Sequence, residues 1–113
     1  MSVSLPKGFQ PLERFVEKWA RETTDERVHA RATSSMEEIR EFYDVAVEHA
    51  EAALAYCEKF PIDALPEDAA RLFRLILGLG QAAVAIEIHG QPRGPGVPWP
   101  HDLTIERGPF PFG

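Results

Sequence analysis

The chain has 113 residues, 44% of them hydrophobic and 27% charged, with a formal net charge of −6. That length normally makes one domain around one modest core, and the composition excludes a fibrous or low-complexity chain. A single cysteine, Cys57, excludes an internal disulfide and a cysteine-rich zinc site.

The first ten residues, MSVSLPKGFQ, lack the basic and then apolar regions of a signal peptide, so a cytoplasmic location is expected. After Pro11, the residues Leu12, Phe15, Val16, Trp19 and Thr23 recur at three- and four-residue steps, which predicts a helix with one apolar face. Thr23 and Glu26 have capping-box spacing, in which a hydroxyl and a carboxylate satisfy free N–H groups at a helix start. The pattern allows a break there and a second short helix to Ala32, or one continuous helix from 11 to 33.

Ser34 and Ser35, with Glu37 and Glu38 three residues on from each, mark the next helix start. Met36, Ile39, Tyr43, Ala46, Ala50, Ala53, Cys57 and Phe60 then step alternately by three and four, an unbroken packing seam. Phe42, Val45, His49, Ala52 and Tyr56 flank it. The apolar arc is wider than the roughly 100° of a surface helix, so this helix is expected to touch two neighbours. Residues 35–60 carry seven acids against Arg40 and Lys59, and no segment forms a basic stripe. Nucleic acid is therefore not the expected partner.

FPIDALPED, 60–68, reads as a connector, with Pro66 at the first position of another helix and Glu67 and Asp68 at its positive end. From there to His89 the residues are mostly apolar, with one narrow stripe of Glu67, Arg71, Arg74, Gly78 and Gln81. Such a helix is central in a fold or buried in a subunit interface. Its apolar run, 75–86, falls short of the roughly 18 to 20 residues that span a bilayer, so no membrane span is expected. Gly78 and Gly80 each cost about 1 kcal/mol relative to alanine, which predicts close passage of a backbone or ligand. Gly90 is the expected stop.

From Gly90 to Gly113, six prolines and five glycines are interleaved with Val97, Trp99, Leu103, Ile105, Phe110 and Phe112. That mixture predicts an extended arm packed on the helices, with 103–106 as a candidate strand-like piece. The expected organisation is a helical domain over 1–89 and a Pro/Gly-rich arm over 90–113 on the same domain. The fold class is all-α, a three- to four-helix up-and-down bundle.

No catalytic residue stands out. Glu87 lies on the apolar side of its helix, near Phe73, Gly80 and Val84 by spacing, at an end where negative charge is disfavoured. It pairs with an arginine, Arg93 being the nearby choice, or points to solvent past a frayed helix end, or lines a pocket as a proton-handling carboxylate. His49 is either a histidine at the core edge, hydrogen-bonded nearby, or a ligand group. The stretch EIHGQPRGPGVPWPHD, 87–102, adds His89, Arg93, Trp99 and His101, with Trp99 anchoring the arm or closing a pocket between helices. Tyr43 joins these as a ligand-binding or interface candidate.

Glu26-x-x-His29 matches half of a di-iron pattern, but a second motif is missing and Glu48 and Glu51 fall on the charged face, so no metal or cofactor is expected. Cys57 sits in the apolar seam, where a thiol is usually inert. Neither a G-x-S-x-G nor a glycine-rich phosphate loop is present. Pro92, Pro95 and Pro98 beside Arg93 have the spacing of a polyproline ligand, a short and common pattern.

SSMEEIREFYDVAVEHAEAALAYCEKFPIDALPEDAARL, followed by GQPRGPGVP, resembles a group of small all-helical bacterial proteins of no established function. The matching points are Ser34-Ser35-Met36, Phe42-Tyr43-Asp44, Phe60-Pro61, Leu65 to Ala69, and Gly90-Gln91-Pro92. The resemblance spans about Leu5 to Pro98. It implies an all-helical fold and an auxiliary role beside oxygenases of catabolic gene neighbourhoods, and it transfers no catalytic residue.

The expected function is that of a non-enzymatic accessory or interaction protein, forming a homodimer or docking on a larger protein. The alternative is a small-molecule-binding protein or small enzyme, taking an apolar ligand between helices beneath the arm.

Overall fold

A computed structural model describes residues 4–94 and 105–113. Among the described residues the secondary structure is helical and no strand occurs. Trp99, His101 and Leu103 lie outside the described residues. Ile105 and Glu106, the described half of the strand candidate, have no regular structure.

The first apolar segment is not one helix. Gln10–Phe15 is a 3-10 helix carrying Pro11 in its first turn, and α1 (Val16–Trp19) is one α-turn. The chain breaks at 20–23, and α2 (Thr24–Ala32) starts on Thr23, whose hydroxyl accepts the Glu26 N–H at 3.1 Å. Leu12, Phe15, Val16 and Trp19 are all buried. The apolar spacing thus holds across the change of helix type.

α3 (Met36–Cys57) opens with a complete capping box: the Ser35 hydroxyl accepts the Glu38 N–H at 3.1 Å, and the Glu38 carboxylate accepts the Ser35 N–H at 2.9 Å. Its seam buries Ile39, Ala46, Ala53 and Cys57, with Phe42 beside them. Trp19 stacks on Phe42, ring centroids 4.7 Å apart and 7° from parallel. After a 3-10 turn at Ile62–Ala64, α4 (Glu67–Ala83) runs back antiparallel along α3. Cys57 meets Ala69 at one end, and Tyr43 meets Glu87 at the other. Pro66 is the N-cap of α4 rather than its first helical residue. α1 and α2 also pack on α4, which makes α4 the common neighbour of the other helices.

Beyond Ala83 the helix widens into a π-helical turn, Val84–His89, and Gly90 stops it in the left-handed conformation at φ 67°. Glu67–His89 makes 23 residues, long and apolar enough by length and composition to cross a membrane. The apolar run counted in the sequence, 75–86, is shorter because it stops at Arg74 and Glu87, which this helix passes straight through. Only 39% of its most apolar window is buried within the chain.

Candidate functional site

The π turn decides where the end of α4 points. A π turn holds one residue more than an α turn, so it rotates every later side chain. Glu87, expected on the apolar side, is exposed, and its Oε2 accepts the Tyr43 hydroxyl at 2.8 Å. The carboxylate beside it pushes the Tyr43 phenol above its usual range. The expectation of a buried, proton-handling Glu87, or of a Glu87–Arg93 pair, is therefore corrected: its hydrogen bond is with Tyr43, and Arg93 lines a cavity elsewhere.

His89, two residues on, turns the other way, with Nδ1 at 3.5 Å from Arg31 Nη1. A guanidinium only donates, so any hydrogen bond in this contact runs from Arg31 to Nδ1. Burial pulls the Arg31 guanidinium below its ordinary pKa, and its buried Nε has no hydrogen-bond partner among the described residues.

Below this end of α4 is an open cavity of about 660 Å³, between Thr33, Ser34 and Ser35 at the α2–α3 turn and Gln91, Pro92 and Arg93 after Gly90. A second open cavity of similar volume, about 660 Å³, lies between the α1–α2 junction, from Val16 to Glu26, and the start of α4. Its charged walls are cross-linked by Arg21–Glu26 at 2.7 Å and Arg71–Glu67 at 2.9 Å.

His49 is separate from both. Its Nδ1 lies 3.0 Å from the Val45 carbonyl oxygen, one turn back on α3, and its ring meets the edge of Phe9. The gap beside it between α3 and α4 is about 10 Å³, walled by aliphatic side chains. That is at most one water's room, so no ligand pocket opens between these helices at His49. Tyr43 and His49 stand on different flanks of α3, one on Glu87 and the other on Phe9, so His49 and Glu87 do not converge.

The two glycines of α4 differ. A Cβ at Gly78 would overlap the Trp19 carbonyl oxygen, the close backbone approach expected from the sequence. A Cβ at Gly80 would meet nothing within 4 Å among the described residues, so the close approach expected there does not come from this chain's other elements. Gly80 lies on an outward strip of α4 made of Phe73, Ile76, Leu77, Ala83 and Val84, all partly exposed. Residues 75–86 include no charged side chain. Tyr43, Val47 and Leu54, at helical steps on the α3 flank that meets Glu87, border this strip, and Val47 and Leu54 are 48% and 41% exposed.

Arg27 was not singled out by the sequence, yet it is 4% exposed, one of two buried polar side chains among the described residues. Its guanidinium donates to the Arg21 carbonyl at 2.6 Å, to the Thr24 hydroxyl at 3.1 Å and to the Phe112 carbonyl. The Thr24 N–H and hydroxyl both reach the Gly113 carbonyl oxygen, at 2.9 and 3.0 Å. Pro111 is fully buried, and the Phe112 ring meets Phe73 edge-on at 5.5 Å.

Among the described residues no group of three His, Cys, Asp or Glu side chains could hold a metal ion. No protein-family model, no curated protein and no solved structure matches the chain, and its function is read from these residues alone.

Proposed function

We propose that this chain is a non-enzymatic interaction protein of the cytoplasm that docks a protein partner on the outward strip of α4. Its helices form an up-and-down bundle with residues 111–113 laid over it, and its role is auxiliary to catabolic oxygenases. The supporting observation is the strip itself: several turns of a central helix, partly exposed and without a charge, on a chain of net charge −6. Contiguous exposed apolar surface on a soluble protein marks a contact site more often than chance. The test is co-purification of a protein component, an oxygenase component or an untagged copy of the chain itself, with the tagged intact chain and with its Leu77→Glu variant. A component held in stoichiometric amount by the first and lost by the second supports the reading; equal capture by both removes it.

A second reading is a binding protein for a small anion, resting on the open cavity that Arg93 lines together with Ser34 and Ser35. Thermal-shift measurements with aromatic and aliphatic carboxylates test it. Stabilisation that disappears in Arg93→Ala supports it, and no shift with any of them ends it.

A further inference from the structure

We infer that the occupant of the α4 strip is a second copy of this chain, with α4 crossing its counterpart about a twofold axis at Gly80. This rests on the reading of that strip as a docking face and adds the identity of the partner.

Gly80 is the first reason. A glycine inside a helix costs about 1 kcal/mol relative to alanine. Gly78 has an internal explanation in the Trp19 carbonyl, whereas among the described residues nothing outside its own stretch of helix comes within 4 Å of a Cβ placed at Gly80. The space it leaves lies outside, at the middle of the strip, where the absent side chain lets another helix backbone come close.

The second reason is that the strip complements itself. In a twofold contact the same patch meets itself, so for antiparallel helices crossing at Gly80 a residue n places before it faces the residue n places after it in the other copy. Leu77 then faces Ala83, a large side chain against a small one. Ile76 faces Val84, two β-branched side chains of similar size. Neither pair contains a polar atom to leave unsatisfied.

Charge is the third. Glu37, Glu41, Asp44, Glu48, Glu51 and Glu58 make the outer face of α3 acidic, so two copies meeting there would oppose like charges. The strip avoids this, since residues 75–86 are uncharged. Val47 and Leu54 widen it with further apolar area that the chain leaves in water.

Sedimentation of the full chain across the micromolar range, with two cysteine variants, tests the inference. The unmodified chain is expected at double its 12.7 kDa mass. Gly80→Cys should form a covalent dimer on mild oxidation, because disulfide geometry needs Cα atoms about 4.4–6.8 Å apart, which a crossing at residue 80 supplies. Ala55→Cys, on the exposed side of α3, should not. Leu77→Glu should sediment as a folded monomer with an unchanged helical circular-dichroism signal. A monomer at every concentration overturns the second copy. If that monomer still captures a different protein through Leu77, the docking face stands and only the partner's identity falls. If it instead floats with lipid vesicles, or if Leu77→Glu alters nothing, the docking face falls as well.

Discussion

The carbonyl oxygen of Trp19 lies directly over the Cα of Gly78, in the space where any other residue would carry its Cβ. α1 can approach α4 only because that atom is missing. Gly78→Ala should therefore destabilise the protein even though alanine is the better helix former. Overpacking costs about 1–3 kcal/mol, more than the roughly 1 kcal/mol recovered in helix propensity. Gly80→Ala, with open space around it, should raise monomer stability by up to about 1 kcal/mol. Urea unfolding at low protein concentration reads both, and two shifts of the same sign would contradict the contrast.

What the sequence could announce was what lies close along the chain. The caps at Thr23 and Ser35, the seam of α3 and the stop at Gly90 all depend on residues within a few positions of one another, and all appear where the spacing puts them. α4 was harder to orient. Its apolar residues occupy most of its circumference, so periodicity gave it no single inward face, and the π turn then displaced Glu87 and His89 by a rotation that no local signal marks. The role of Arg27 was hidden for another reason. One of its partners, Phe112, is 85 residues away, and its other acceptors are the Arg21 carbonyl and the Thr24 hydroxyl, which carry no sequence signature.

That buried arginine should prove structural. Arg27→Met keeps most of the volume but leaves the Arg21 and Phe112 carbonyls without their donor. Hydrogen bonds from a charged donor are worth roughly 1.5–3 kcal/mol each to stability, so a loss of about 2–3 kcal/mol is expected for the pair with partial rehydration. Amide exchange at Phe112 and Gly113 should accelerate with it, because Thr24 and Arg27 hold these residues together. Unchanged exchange there would mean the C-terminal residues are held by other contacts.

The α3 cap makes a prediction about acid. Glu38 is held down at about 2, first by its hydrogen bond from Lys18 and then by the Ser35 N–H and hydroxyl. Its folded pKa lies below the ordinary glutamate value of 4.5, so its contribution is present above that value and fades as the pH falls through about 2. The melting temperatures of the unmodified chain and Glu38→Gln should differ at pH 6 and converge toward pH 2. Ser35→Ala should cost about 1 kcal/mol at neutral pH through loss of the cap. A constant offset between the chain and Glu38→Gln across this range would show that the carboxylate charge contributes nothing.

The Tyr43–Glu87 contact ties α3 to the π turn and can be read directly by titration. The hydrogen bond to the carboxylate is the largest cause raising the phenol, with burial and the Glu87 charge adding to it. Because the folded pKa is raised, the stabilisation is complete below the ordinary tyrosine value of 10.0 and is lost as the pH climbs through the folded one. In Glu87→Gln the Cζ resonance of Tyr43 should titrate at lower pH than in the unmodified chain. Tyr43→Phe should lower the melting temperature only slightly, since both partners can turn to water once separated. If the Tyr43 titration is the same with and without the Glu87 carboxylate, the two side chains do not meet in solution, and the π turn does not place Glu87 on α3.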